Sequence, residues 1–431
     1  MNTSRCSRKL LVFLRSYNDI DHIVPVIYKW LSMEDVPVAA VLTAERSLLE
    51  DYRLQFLTQF SNFKLHHLSD FSKHQEDSNQ PLTLPIPLLG RSLGRSYRFL
   101  QKHGAYFAGR LSGKRTLPRD YSQILLPVFD ALMMGVEHGV VVLDWTTTDL
   151  AISATKIAKE RHFTTVSLPH GDAPYYNQMI ELNSLDYSHL DKNKAMNMYD
   201  YTVVPNKLCG KRYEPYLKPD RLKILGSPRY NDEWLESISA LLPVFNPQES
   251  NGKLKIVLFM RDSNYSIFYE ELLRTIRLVL QFPDVYLVMK HHTRNVEHMM
   301  REEYVKKYTF ADPNLKIVYN EQHSGSLISW ADIVMDLGTS VVFEAVKRRI
   351  PVLSLEYLHS NYSTVAHYIK RCEIKCRDDL YDTIAAFSRN RNLQFYDDTE
   401  RNHFIQTMID FPDKNVLERY VQFLRDCLTR S

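Results

Sequence analysis

The chain has 431 residues and a mass of 50.6 kDa, which at roughly 100 to 200 residues per domain excludes a single small module. With 44% hydrophobic and 24% charged residues it can bury large cores, so a disordered or fibrous chain is excluded too. The formal charge of +3, from 54 basic and 51 acidic residues, excludes a surface built throughout to grip nucleic acid.

Apolar runs of strand length alternate with amphipathic stretches of helix length, the pattern of a parallel sheet covered by helices on both faces. The first series predicts strand Lys9–Leu14, helix Asp21–Met33, strand Pro37–Leu42, helix Ser47–Phe60 and strand Phe63–His67. It continues with helix Gln123–Val136, strand Val140–Leu143, helix Asp149–Arg161, strand Thr164–Leu168 and strand Tyr201–Val204. Together these make one doubly wound, Rossmann-like domain over residues 1–228. Pro243, Asn246, Pro247, Ser250, Asn251 and Gly252 then mark a linker over residues 229–252. A second series follows: strand Leu254–Phe259, helix Ile267–Leu280, strand Val285–Met289, strand Leu315–Tyr319, helix Ser324–Trp330, strand Ile333–Met335, helix Val341–Lys347 and strand Pro351–Leu355. It predicts a second Rossmann-like domain over residues 253–431. The amphipathic stretch Val416–Leu428 has no strand after it and so should pack back on what is already built. The expected fold class is therefore α/β, two doubly wound domains facing a central crevice, where ligands bind beyond the carboxyl ends of the strands.

No apolar run approaches the roughly 18 residues that cross a bilayer, which predicts a soluble, cytoplasmic protein. Five scattered cysteines fit a reducing compartment, and the C-x-x-x-C of Cys372 and Cys376 has no second pair to complete a zinc site. Between Arg91 and Asp120 stand eight basic residues and one acid, interleaved with Tyr97, Phe99, Tyr106 and Phe107. Such a segment suits an anionic membrane face, a polyanionic acceptor or simply solvent; a nucleic-acid groove would require a more basic chain.

Five loops after strands carry candidate chemistry. In Asp336 to Leu353, Gly338 allows a tight turn, and Thr339 or Ser340 opens a helix whose free N–H groups suit phosphate. Glu344, one turn in, is placed to accept ribose hydroxyls, although capping alone would select the same Gly-Thr-Ser. Lys290, His291 and His292, followed by Thr293 and Arg294, put cationic donors directly after a strand, as a diphosphate leaving group requires. Arg261 and Ser263 follow the first strand of the same domain and open on the same crevice. In the first domain, Gly171 bends the chain after strand Thr164–Leu168 and leaves His170 and Asp172 as candidate general bases. Asp144, Thr146 and Thr147 line the acceptor side of that cavity from a neighbouring strand end. There is no G-x-x-x-x-G-K-[ST], no G-x-G-x-x-G after the first strand, no H-E-x-x-H and no G-x-S-x-G. Without a carboxylate pair placed to hold a divalent cation between phosphates, no metal and no cofactor are expected.

Taken together, these residues resemble the GT-B superfamily of two-Rossmann glycosyltransferases and their relatives. Asp144 to Asp172 resembles the corresponding stretch of the non-hydrolysing UDP-N-acetylglucosamine 2-epimerases. His170-Gly171 is similar to the W-H-G segment of CDP-glycerol and ribitol-phosphate transferases, and Lys290-His291-His292 is similar to the K-P-H run of capsule and teichoic-acid enzymes. Asp336 to Leu353 resembles the superfamily's nucleotide-sugar strand, loop and helix, with Gly-Thr-Ser in place of the epimerase D-S-G-G. Leu225 to Arg229 resembles its inter-domain boundary. The resemblance implies a donor nucleotide in the C-terminal domain and an acceptor in the N-terminal one. It makes the leading expectation a metal-independent transferase moving a sugar from a nucleotide-activated donor to a hydroxyl of a surface polysaccharide or its lipid-linked precursor, peripheral to the inner face of the membrane. The alternatives are transfer of a CDP-linked polyol phosphate, 2-epimerisation of the UDP-sugar, and a non-catalytic GT-B binding protein.

Overall fold

The computed structural model describes residues 8–71, 120–171, 194–261, 267–292, 312–319, 322–359 and 363–430. Asp172, Ser263, Thr293, Arg294 and the basic segment up to Arg119 lie outside the described residues. The first sheet has seven parallel strands: β1 (Arg8–Leu14), β2 (Val38–Leu42), β3 (Phe63–His67), β4 (His138–Asp144), β5 (Thr164–Leu168), β6 (Tyr201–Val204) and β7 (Leu222–Ile224), in the order β3-β2-β1-β4-β5-β6-β7. The second has six: β8 (Leu254–Phe259), β9 (Val285–Lys290), β10 (Leu315–Val318), β11 (Ile333–Asp336), β12 (Val352–Leu355) and β13 (Glu373–Ile374), in the order β10-β9-β8-β11-β12-β13. The two sheets are wound alike. Each turns outward in both directions from a central pair, β1 with β4 and β8 with β11, and the crevice of such a sheet opens at that pair.

Strand alternation explains why β1 reads as an unbroken apolar run. Leu10, Val12 and Leu14 enter one core with helix α1 (Tyr17–Met33), while Leu11 and Phe13 enter the opposite core with α2 (Ser122–Met133) and α3 (Asp149–Glu160). Helix α1 begins four residues before the expected Asp21, because Asp19 accepts the Arg15 N–H at 2.6 Å and so stabilises the first turn. The expected helix Ser47–Phe60 is split into a short turn, Arg46–Glu50, and α4 (Tyr52–Leu57); between them Asp51 caps the second piece by accepting the Arg53 N–H at 3.0 Å.

The last helix, α5 (Val416–Arg430), buries Val416, Leu417, Tyr420, Val421, Leu424, Cys427 and Leu428 against α1 and the first sheet, so the chain returns to its starting domain. Its entry crosses the outgoing chain at Gly226, whose φ of +91° only glycine adopts freely. The Tyr420 hydroxyl donates to the Gly226 carbonyl at 2.9 Å, and a Cβ on Gly226 would lie 2.9 Å from the Phe411 carbonyl oxygen. Gly226→Ala should therefore cost more than about 1 kcal/mol in urea unfolding, combining left-handed strain with a backbone clash. Stability equal to wild type would show that the crossing tolerates rearrangement.

Candidate functional site

In the first domain the strand ends at the central pair build a buried ionic cluster. Asp144 is the last residue of β4, Arg15 follows β1, and His170 lies two residues beyond β5, so all three converge where the winding reverses. Arg15 clasps Asp144 with two donors, Nε to Oδ1 at 3.0 Å and Nη2 to Oδ2. His170 Nδ1 lies 2.8 Å from Asp144 Oδ2 and 2.9 Å from Asp19 Oδ1. Both carboxylates are fully buried, whereas His170 keeps 23% of its side chain accessible and turns Nε2 toward Asn18, 3.3 Å away.

Burial works against the charge on His170, but its hydrogen bonds to Asp144 and Asp19 and their negative charges outweigh it and raise the imidazole to about 9. Burial likewise works against Asp144, yet His170 and Arg15 hold its carboxyl well below the usual range. Asp19 moves upward, through burial and the neighbouring charge of Asp144. The ligand atoms of Asp19, Asp144 and His170 lie within 4.8 Å of one another, close enough for one cation. Arg15 and the imidazolium already supply two positive charges against the two carboxylates, so the residues form a balanced set.

Across the crevice, the second domain contributes strand ends of its own. Lys290 closes β9, is buried, and donates to the Tyr319 carbonyl at 2.6 Å. The loop after β11 is held by Asp336, which accepts the N–H groups of Gly338 at 2.7 Å and Thr339 at 2.9 Å. Burial pushes that carboxyl up to about 6 against these bonds. Of the Thr339 and Ser340 amides that the sequence offers to phosphate, that of Thr339 thus serves the loop itself, as does that of Gly338. Gly338 sits at φ +81°, and a Cβ there would meet the Arg261 guanidinium at 2.8 Å. Arg261 packs on this loop, donating to the Leu337 carbonyl at 3.2 Å.

Between the two halves lies a cavity of about 140 Å³. His170 and Gly171 line it from the first domain; Lys290, His291, His292, Thr339 and Ser340 line it from the second. Of the residues expected there, His170, Lys290, His291, His292, Thr339 and Ser340 line it, whereas Arg261 and Gly338 are not part of the wall. Asp144 reaches the cavity through His170. Thr146 is buried behind it, its carbonyl accepting from the Tyr199 hydroxyl at 2.7 Å, and neither it nor Thr147 is part of the wall. Glu344 is buried and paired with Arg348 at 2.9 Å, also off the wall.

Sequence reasoning missed Arg15, Asn18, Asp19, Asp21, His22, Arg229 and Ser324. The first five belong to one polar run, Arg15 to His22, directly after the first strand. A run of that kind at the mouth of a doubly wound domain was the available signal. Asp21 ties the two halves together beside the cavity: it pairs with Arg53, lies 2.9 Å from Arg229, and faces His323 at 4.0 Å. His323 in turn contacts the Tyr52 hydroxyl at 3.3 Å and caps α6 (Ser324–Trp330) by accepting the Gly325 N–H at 3.1 Å.

No protein-family model matches the sequence, and no curated protein matches it. Solved structures do. A UDP-GlcNAc 2-epimerase from Neisseria meningitidis, bound to UDP-GlcNAc, superposes over 98% of this chain and 100% of its own, with TM-score 0.56 and 12% identity. A glycosyltransferase from Rickettsia africae covers 99% of this chain and 100% of its own, with TM-score 0.51 and 11% identity. HepE from Anabaena, solved with UDP and glucose, covers 98% and 100%, with TM-score 0.53 and 10% identity. Two parallel sheets that match these neighbours along their whole length give the chain the GT-B architecture. Among the described residues, no helix is long and apolar enough to cross a membrane.

The raised His170 sets a sign for stability. Its folded value lies near 9 and its ordinary value near 6.5, so its stabilising contribution is full below about pH 6.5 and is lost as pH rises through about 9. Unfolding measured from pH 6 to 9.5 should therefore show wild type losing stability more steeply than His170→Gln. Parallel curves would mean that the carboxylates do not hold the imidazolium.

Proposed function

We propose that the protein transfers a sugar from a nucleotide-activated donor to a glycan hydroxyl, with the donor held by the second domain and the acceptor presented by the first. One observation carries this reading: a histidine backed by two buried carboxylates faces a wall of cationic and polar groups across a single cavity. An acceptor hydroxyl placed at His170 Nε2 gives up its proton there as its oxygen attacks the anomeric carbon. The bond from that carbon to the diphosphate breaks, and the electron pair leaves with the phosphate, whose charge Lys290, His292 and the Ser340 N–H meet. Asp19 and Asp144 stabilise the imidazolium so formed and fix the Nδ1 tautomer, as a buried acid does in any histidine-base pair. The fold's UDP-bound neighbours support a UDP-linked donor.

A second reading is favoured by the same cluster. Two buried carboxylates around one imidazole also suit removal and return of a proton on the sugar itself, and a UDP-GlcNAc 2-epimerase shares the architecture. Incubation with UDP-GlcNAc alone separates the two: formation of the 2-epimer without acceptor establishes the second and ends the first, and donor turnover only when a glycan acceptor is added does the reverse.

For transfer, kcat/KM should rise about tenfold per pH unit toward a limit near pH 9, since only about 1% of His170 is neutral two units below its value. His170→Ala should lower kcat by about 10²- to 10⁴-fold while leaving UDP affinity nearly unchanged. Lys290→Ala should instead weaken UDP binding by about 1 to 3 kcal/mol in calorimetry. A rate that falls from pH 6 to 8, or equal losses of UDP affinity in both variants, would overturn the division of roles.

A further inference from the structure

Within the donor wall, His291 is arranged as a flat surface rather than as a donor. Its ring stacks on Tyr319, with centroids 5.0 Å apart and planes 11° from parallel, and it borders the cavity. The strand register produces this. Val318 on β10 lies opposite Lys290 on β9, and the His291 N–H extends the ladder by donating to the Val318 carbonyl at 3.1 Å. The next residue of each strand, His291 and Tyr319, is thereby set beside the other.

Burial and the neighbouring Lys290 lower the proton affinity of His291 below the usual histidine value, so near neutral pH the ring is an uncharged aromatic plane. Positive charge is supplied next door by Lys290. Sheet order then separates the two kinds of recognition. The Thr339–Ser340 loop follows β11, Lys290 ends β9 on the other side of β8, and Tyr319 lies beyond it after the edge strand β10. A ligand whose phosphates span Ser340 and Lys290 has its far end at the His291–Tyr319 pair.

Resting on the reading of this cavity as a nucleotide-sugar site, we infer that the His291–Tyr319 stack is the platform for the donor's nucleobase and that His291 is not a phosphate ligand. Every nucleobase has a π face, so such a platform secures the base by stacking and leaves its identity to other contacts.

Calorimetric titration of the full chain with UDP, and with inorganic pyrophosphate, which has the phosphates and no base, tests the assignment. His291→Ala should weaken UDP about tenfold and pyrophosphate by less than about twofold. His291→Phe, a plane without a donor, should keep UDP affinity within about threefold, and His291→Lys, a cation without a plane, should not. Unchanged UDP affinity in His291→Ala, equal weakening of both ligands, or rescue by Lys and not by Phe would overturn the platform. Those outcomes leave the nucleotide reading standing. Wild-type protein that binds neither ligand would instead overturn the nucleotide reading and the platform with it.

Discussion

Two carboxylates buried within reach of one imidazole nitrogen are tenable only where positive charge is built in beside them. Removing a carboxylate from water costs several kcal/mol, and one left unpaired would take up a proton instead. Arg15 meets that cost for Asp144 with two donors, and His170 bridges Asp144 to Asp19. The rest of the first domain is arranged around this requirement. The end of β4 supplies one carboxylate, the first turn of α1 the other, and the segments after β1 and β5 the cations; only the central strands of a sheet wound in both directions bring those four ends together.

The two domains share a winding and differ in chemistry. The first concentrates groups that hold or move a proton, whereas the second presents Lys290, His292 and a turn whose carboxylate, Asp336, is occupied in holding its own backbone. An anionic ligand entering from the second domain's side meets His170 already charged, and its own negative charge would hold that proton more tightly. Under the proposed function, an acceptor hydroxyl would meet the imidazole on its Asn18 side, toward which Nε2 is turned.

Much of the fold was legible because short strand-length stretches rich in apolar or β-branched residues alternate with amphipathic ones: β3, β5, β6 and β8 fall where the pattern puts them, even though β3 carries Lys64, His66 and His67 and β5 carries Thr164, Thr165 and Ser167. The short edge strands β7 and β13 were not, since three and two residues carry no period. Of the site, Lys290, His170 and the Gly338 loop were legible as polar residues following strands. Glu344 shows the limit of that logic. Its place on a helix was read correctly from spacing, but the partner that draws it from the cavity wall, Arg348, is one turn further along and depends on how the helix is rotated in the core. Asp19 was hidden for a related reason: a helix drawn from Asp21 leaves it in a loop, and only the Arg15 N–H that it accepts shows that the helix begins earlier.

The return of α5 to the first domain makes the chain pass twice between the domains. The chain leaves the first sheet through Gly226 and Ser227 and comes back through Ile409 to Val416, and these two passages touch: the Ser227 N–H donates to the Ile409 carbonyl at 2.8 Å, and Arg419 bridges the Leu225 and Phe411 carbonyls. The two connections between the domains are thus bonded to each other at one crossing. Asp21, with Arg229 on one side and His323 on the other, lies beside the cavity and joins both domains. Burial works against the charge of that carboxylate, yet Arg229 and Arg53 hold it well below the usual range. Because two guanidinium groups already pair that carboxylate, its charge does not depend on the 4.0 Å contact with His323, and the polar link between the domains adds to the ion pairs of the first domain without being needed to satisfy them.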